Sequence, residues 1–230
     1  ACGEKNILFT NNDSVYETAI SLIQKGIKVQ AIIDNREEID SKLIKETEKN
    51  NIKIYKGYTI VDTFGYKRIN SVSIMKLSKD GQKVIGSKEN ISCDSLGISG
   101  GWTPAVHLFT QSGGKLKFRD DDQVFIPNTY PSNQISIGSC NGDFTLDEIL
   151  INAPKLLKEF LNIKKTEYEN IEIYSAFNKS KRNIWLLPSN KIVGKTKSFV
   201  DFQNDATAKD IKLALREGFR SIEHVKRYTT

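Results

Sequence analysis

The first 55 residues alternate short apolar runs with a segment of helical periodicity. Residues 7–10 and residues 29–33 are apolar runs of strand length, and Asp34 closes the second one. Between them, apolar residues recur at helical spacing from residue 15 to residue 25, and Gly26 provides a natural helix stop. Because a strand, a helix and a strand in succession favour parallel pairing in one sheet, this pattern predicts an α/β fold.

The pattern after this unit changes from α/β alternation to consecutive strands. The sequence predicts a helix at 39–50, strands at 52–55, 58–63, 69–77 and around Val84, and a returning strand at 95–99. A βαβ unit followed by a meander and a returning strand is typical of FAD/NAD(P)-binding, Rossmann-like domains. We therefore predict the α/β class, with that domain type followed by a small helical module.

The second half of the chain carries clear helix signals. Thr145 and Glu148 form a capping box before an apolar helical face that Pro154 is expected to kink or divide. Thr207 and Ser221 each begin a short helix near the end of the chain. Between these helical parts, residues 162–198 resemble a linker, with one strand predicted at 184–187.

Composition limits the function classes. The chain has 230 residues, a hydrophobic fraction of 38% and a charged fraction of 27%, which excludes a wholly disordered or collagen-like chain. No apolar run is long enough for a transmembrane helix, so no membrane association is expected. The net charge of +6 is uneven: residues 1–154 carry −1 and residues 155–230 carry +7. That basic excess suggests a nucleic-acid surface, but its interleaved acids favour an ordinary solvated surface.

The cysteines and histidines do not form a metal or nucleophile pattern. Cys2, Cys93 and Cys140 have no CxxC spacing, which argues against a disulfide framework and a zinc site and favours reduced thiols in a cytoplasmic protein. His107 lies in an apolar, helix-like stretch and is expected to be packed rather than catalytic. We therefore predict no metal ligands and no catalytic residues.

Two turns are candidates for nucleotide binding. In the first, the three glycine places of a dinucleotide-binding turn fall on Thr10, Asn12 and Val15, although Asp34 stands where a ribose-binding carboxylate is expected. This turn either binds a nucleotide weakly or belongs to a scaffold in which Asn11, Asn12 and Ser14 cap the helix. The second is the glycine-containing stretch 138–142 before the Thr145 helix, which is either an anion site or a structural turn. The predicted cofactor-binding residues are Gly100, Gly101, Gly138, Ser139 and Asn141.

Three segments resemble a known family. Residues 7–16, residues 99–116 and residues 199–230 are similar to the alpha subunit of heterotetrameric sarcosine oxidase. That subunit is far longer, with a GxGxxG-containing nucleotide-binding half before this region and a folate-binding domain after it. The resemblance therefore implies an internal fragment, and the absence of an initiator Met and the abrupt end at Thr230 agree with this expectation.

The resemblance also implies an activity. In this family the complex oxidises sarcosine to glycine, reduces oxygen to hydrogen peroxide and passes the one-carbon unit to tetrahydrofolate, giving 5,10-methylenetetrahydrofolate. The beta subunit carries the amine oxidation, and the alpha subunit carries NAD. The expected cofactors are thus NAD in the intact subunit, FAD, FMN and tetrahydrofolate in the complex, and none in this fragment. The expected partners are the beta, gamma and delta subunits, without nucleic acid, in the cytoplasm, and the isolated fragment is expected to be inactive.

Two departures from related folds limit this chain further. Ser139 stands where pyridine-nucleotide disulfide oxidoreductases usually have an Asp that contacts the flavin. Residues 199–230 resemble the helical module of [2Fe–2S] bacterioferritin-associated ferredoxins, but Asp201 and Gln203 occupy the places of two cluster cysteines. The resulting domain prediction is a Rossmann-like domain at 4–94, the returning segment of an incomplete FAD/NAD-binding domain at 95–161, a linker at 162–198 and a cluster-free helical module at 199–230.

Two alternative functions stay open at this stage. One is a subunit of a related amine-oxidising complex, such as opine oxidase or N-methylglutamate dehydrogenase. The other is a basic nucleic-acid-binding module that uses the C-terminal charge, for which Tyr168, Tyr174, Phe177 and Trp185 offer a loose aromatic pattern.

Overall fold

A computed structural model describes residues 3–39, 42–163, 183–191 and 197–230 of the chain. The strands are β1 (Asn6–Thr10), β2 (Val29–Asp34), β3 (Lys53–Lys56), β4 (Tyr58–Gly65), β5 (Ile69–Leu77), β6 (Val84–Ser92), β7 (Ser95–Ser99), β8 (Lys115–Arg119), β9 (Val124–Thr129), β10 (Phe199–Asp201) and β11 (Ala206–Thr207). The helices are α1 (Ser14–Gln24), α2 (Lys42–Lys49), α3 (His107–Gln111), α4 (Leu146–Phe160), α5 (Ala208–Arg216) and α6 (Ile222–Thr229).

The N-terminal part is built on a parallel sheet. Its strand order is β3-β2-β1-β7, and each neighbouring pair runs parallel. The α/β class predicted from the strand–helix alternation is therefore confirmed. β7 pairs with β1 along its whole length, so the predicted boundary after residue 94 divides a continuous sheet.

Alternating side chains of the central strands hold three layers together. Leu8 and Ile32 pack into a buried cluster with α1 and α2 on one side of the sheet. Ile7 and Ile33, their immediate neighbours in sequence, pack into a second buried cluster with the meander on the other side. Successive side chains of a strand point to opposite sides, so near-continuous apolar runs are what a sheet covered on both sides requires.

The meander is the antiparallel sheet β4-β5-β6. Its central strand β5 contributes Val72 and Ile74, both fully buried, to the cluster against the parallel sheet. The predicted succession of antiparallel strands after residue 57 is thereby confirmed.

The helical predictions for the second half hold, and of the two outcomes expected at Pro154 the division of the helix is not found. Capping boxes open α4 at Thr145 and α5 at Thr207, as the sequence predicts. Gly218, in the left-handed region at φ +95°, ends the α5 segment before α6 begins. Pro154 does not divide α4, which continues to Phe160. A proline leaves the carbonyl four residues earlier without its helical donor, and here that residue, Leu150, is exposed to water.

Three further observations differ from the predictions. Residues 184–187 form no strand: Trp185 is exposed, while Leu187 packs against the meander-side core. His107 begins the short helix α3 and is exposed rather than packed, because α3 buries only Phe109. The β8–β9 hairpin was not predicted, and most of the predicted linker 162–198 lies outside the described residues. Among the described helices, none combines the length and apolar character needed to cross a membrane.

Candidate functional site

The site lies where two neighbouring parallel strands end. The last residues of β1 and β7, Thr10 and Ser99, are direct partners in the sheet. The chain leaves β1 through residues 11–14 and leaves β7 through Gly100 and Gly101. The carboxyl edge of an open α/β sheet is where such folds bind ligands. A cleft of about 530 Å³ opens at this edge.

The turn after β1 is closed by its own side chains. The Asn12 side-chain oxygen accepts hydrogen bonds from the Ser14 backbone N–H, at 3.1 Å, and from the Ser14 hydroxyl, at 2.5 Å. The Asn12 amide donates to the hydroxyl and carbonyl oxygens of Ser99, at 3.1 and 3.3 Å. A dinucleotide turn needs glycine here so that the pyrophosphate can approach the backbone. Asn12 fills that approach, so the turn does not fit a dinucleotide.

Asp34 does not serve as a ribose ligand in this arrangement. Its carboxylate is fully buried and accepts hydrogen bonds from the Arg36 Nε and Nη2 atoms, at 3.0 and 2.7 Å. The Tyr16 hydroxyl also donates to it, at 2.9 Å. Burial, and then the neighbouring Asp34 charge, raises the pKa of Tyr16 well above its ordinary value, so Tyr16 stays protonated. The residue that sequence reasoning assigned to a ribose therefore ties β2 to α1.

Arg36 connects this carboxylate to a second one. Its Nη1 atom lies 2.8 Å from the Asp13 carboxylate at the start of α1. Burial lowers the pKa of Arg36, but hydrogen bonds to Asp34 and Asp13 outweigh that effect and raise it above the ordinary value. Two buried carboxylates thus share one guanidinium. Asp13 belongs both to this network and to the lining of the cleft.

The second predicted turn lies apart from the cleft. Gly138–Asn141 forms one turn of 3-10 helix, in which Gly138 is buried with φ +68° and Ser139 is exposed. The Asn141 side-chain oxygen accepts a hydrogen bond from the Tyr130 hydroxyl at 3.2 Å. Of the five predicted binding residues, Gly100 and Gly101 line the cleft, whereas Gly138, Ser139 and Asn141 do not.

The start of α4 already has an anionic partner. The Glu148 carboxylate accepts hydrogen bonds from the backbone N–H groups of Phe144 and Thr145, at 3.1 and 3.3 Å. A helix N-terminus favours negative charge, and here the chain supplies that charge itself. The expected anion preference of this turn is therefore satisfied within the fold.

Sequence reasoning missed most of the cleft. Its described lining consists of Asn11, Asn12, Asp13, Ser14, Glu17, Gly100, Gly101, Trp102, Thr103, Asp122, Gln123, Val124, Phe144, Thr145, Asn183, Ile184 and Trp185. It includes both tryptophans of the chain and three acidic residues, and among the described lining residues there is no Lys, Arg or His. Trp102 directly follows the Gly100-Gly101 turn, a signal that could have drawn attention to it.

Trp185 reaches the cleft because its segment is fastened to the β8–β9 hairpin. Its indole N–H donates to the Gln123 side-chain oxygen at 2.5 Å. The Asn183 amide donates to the Asp122 backbone carbonyl at 3.2 Å. The unpredicted hairpin therefore forms one wall of the cleft and brings residues 62 positions apart into contact.

The C-terminal module does not fit an iron–sulfur cluster. Asp201, at one of the expected ligand places, accepts hydrogen bonds from the Gln203 backbone N–H at 2.8 Å and the Asn204 amide at 2.7 Å. The Asn204 hydrogen bond, together with that of Gln203, lowers the pKa of Asp201. This carboxylate orders the turn between β10 and β11, where a cluster would need thiolates.

Comparisons with known proteins cover the whole chain. A family model described as the sarcosine oxidase A3 domain matches residues 195–230. Sarcosine oxidase subunit alpha of Corynebacterium sp. (strain P-1) is 28% identical over 239 residues, covering 99% of this chain and 24% of the relative. The same subunit of Rhizobium meliloti (strain 1021) is 29% identical over 235 residues, covering 100% of this chain and 22% of the relative. The predicted resemblance is confirmed.

The similarity covers only part of each relative. This chain spans about a quarter of the length of these alpha subunits. Among solved structures, thioredoxin reductase of T. acidophilum has a TM-score of 0.46 and 16% identity, covering 70% of this chain and 53% of that one.

Proposed function

We propose that this chain is the central part of the alpha subunit of a sarcosine-oxidising complex, in which it serves as scaffold rather than as the reaction centre. The observation that carries this proposal is the similarity to three sarcosine oxidase alpha subunits over 99–100% of the chain. The A3 domain match at residues 195–230 supports the same assignment independently.

In this proposal the intact complex removes the N-methyl group of sarcosine. Oxidation of sarcosine delivers two electrons and two protons to oxygen, which becomes hydrogen peroxide; the methyl carbon passes to tetrahydrofolate as 5,10-methylenetetrahydrofolate, and glycine is released. NAD belongs to the rest of the alpha subunit, FAD and FMN to the complex, and the beta, gamma and delta subunits complete a cytoplasmic heterotetramer. We keep the predicted domain division in this proposal, with the one change that β7 belongs with residues 4–94.

The scaffold role follows from the first turn. Asn12 occupies the pyrophosphate approach, and Asp34 is held by Arg36 and Tyr16. This βαβ unit therefore keeps the architecture of a nucleotide domain while its own side chains fill the nucleotide's place. The predicted binding roles of Gly100, Gly101, Gly138, Ser139 and Asn141 stay part of this proposal for the intact subunit.

Activity of the assembly tests the function. The assembly that contains this chain, isolated through an affinity tag from its native source, is expected to form peroxide with sarcosine and, with added tetrahydrofolate, 5,10-methylenetetrahydrofolate. Octopine and N-methylglutamate serve as parallel substrates. Preference for either of these over sarcosine would reassign the complex to a related amine-oxidising type.

Calorimetry on the 230-residue chain tests the scaffold role separately. We expect no heat of binding when NAD is titrated into the chain, because the turn after β1 is closed by Asn12. Micromolar affinity for NAD would overturn the scaffold assignment while leaving the sarcosine assignment of the assembly intact.

A further inference from the structure

We infer that the cleft at the carboxyl edge of β1 and β7 binds a small organic ammonium ion. This inference concerns a site that the scaffold role does not use, and it does not depend on the sarcosine assignment. It rests on three features of the cleft: its size, its two indole rings and its charge.

The size suits a small ligand. A cleft of about 530 Å³ falls within the range of about 300–1,000 Å³ that is typical of small-molecule sites. Polar groups that can orient a ligand surround it, among them the side chains of Thr103, Gln123 and Asn183. Gly101, with φ +121°, keeps the β7 side of the cleft open because it carries no side chain there.

The two indoles suit a cation. Trp102 is 64% exposed and Trp185 is 77% exposed, although both line the same cleft. Exposure of two tryptophans at one place is unusual for side chains with so much apolar surface. The face of an indole attracts cations more strongly than the ring of any other side chain, and recognition of substituted ammonium ions is the best-known use of such rings. The hydrogen bond to Gln123 fixes the Trp185 ring while leaving most of its surface exposed.

The charge excludes an anion as the preferred ligand. The described lining contains Asp13, Glu17 and Asp122 and no basic side chain, in a chain whose net charge is +6. Asp122 is paired with Arg119, and Asp13 and Asp34 share Arg36. Glu17, exposed on α1, adds a carboxylate at the cleft wall.

The helix N-termini at the cleft do not reverse this preference. α1 and α4 both begin there, and helix N-termini favour anions. Asp13 and Glu17 supply that negative charge at α1, and Glu148 supplies it at α4. A phosphate would therefore meet carboxylates at the N-terminus of α1 and at the N-terminus of α4.

Tryptophan emission of the 230-residue chain gives a direct test. Trp102 and Trp185 are the only tryptophans in the chain, so its emission reports on the cleft alone. We expect a saturable change in emission with tetramethylammonium chloride. Sodium chloride at equal ionic strength and tert-butanol, a neutral compound of similar shape, are expected to give none. No saturable change, or an equal response to tert-butanol, would overturn the inference, as would tighter binding of inorganic phosphate than of tetramethylammonium.

Matched variants test the assigned side chains. Trp102→Leu, read by Trp185 emission, and Trp185→Leu, read by Trp102 emission, are each expected to weaken tetramethylammonium binding by about three- to tenfold. Glu17→Gln is expected to weaken it about threefold, whereas Glu46→Gln, an exposed carboxylate on α2 outside the cleft, is expected to leave it unchanged. All four positions are exposed or belong to a cleft wall, so the variants are expected to fold, which circular dichroism checks. Unchanged affinity in both tryptophan variants would contradict the site.

Discussion

Residues 3–99 and residues 100–163 differ in how completely their helices bury apolar side chains. In the first region, helices cover one side of the parallel sheet and the meander covers the other, and each side has a buried cluster. In the second, the 15-residue helix α4 contains no buried residue, although its apolar residues recur at helical spacing. Leu146 and Ile151 are 64% and 52% exposed there.

The difference separates helices whose apolar sides are covered from one whose apolar side is not buried among the described residues. An amphipathic helix gains most of its stability from packing its apolar side against other elements. The N-terminal region has this packing within the chain, and α4 does not have it among the described residues. Stability should therefore depend strongly on the buried residues of the first region and weakly on the apolar residues of α4.

The largest expected effect comes from the charged network at the first turn. Arg36→Met leaves Asp13 and Asp34 buried without their cation, which is expected to cost about 3–5 kcal/mol of unfolding free energy. Urea denaturation followed by circular dichroism measures it. Arg216→Met, at a side chain that is 76% exposed, is the matched control and is expected to change stability by less than about 0.5 kcal/mol. Equal effects of the two substitutions would show that the network does not hold the turn.

The comparison between the regions is tested directly by one substitution made in each. Ile32→Ala removes a fully buried side chain between the sheet and α1, with an expected loss of about 2–5 kcal/mol. Ile151→Ala in α4 is expected to change the free energy of unfolding by less than about 0.5 kcal/mol. A loss of several kcal/mol for Ile151→Ala would mean that α4 is covered in solution, and the contrast would fail.

The pH dependence of stability tests the buried Tyr16 hydroxyl. Because folding raises the pKa of Tyr16, the folded chain keeps a proton that the unfolded chain loses above about pH 10. The contribution of the Tyr16 hydroxyl to the free energy of unfolding is fully present below that pH. It decreases as the pH rises, by up to about 1.4 kcal/mol per pH unit. Tyr16→Phe is expected to remove this part of the slope between about pH 10 and pH 12. Tyr66→Phe, at a side chain that is 98% exposed, should leave the slope unchanged.

How much the sequence predicts differs between the same two regions. Strands and helices up to residue 99 follow from periodicity, since the fully buried strands required near-continuous apolar runs. The cleft does not follow in the same way, because Trp185 reaches it through a hydrogen bond to Gln123, 62 residues earlier, beside the unpredicted β8–β9 hairpin. Asp34 illustrates a second limit. Its position in the sequence suggested a ribose-binding carboxylate, but Arg36, two residues later, binds it within the fold.

The smallest predicted effect concerns the two ends of α4. Glu148 accepts two backbone hydrogen bonds at the N-terminus of this helix, so Glu148→Ala is expected to destabilise α4 by about 1 kcal/mol. Glu159, in the last turn, meets the negative end of the helix dipole, and Glu159→Ala should leave α4 unchanged or stabilise it by a few tenths of a kcal/mol. Hydrogen exchange of the α4 amides measures the effect of each substitution on the helix. Because α4 has no buried residue, its capping should decide how often it opens. Equal exchange rates in the two variants would show that packing, rather than capping, holds the helix in place.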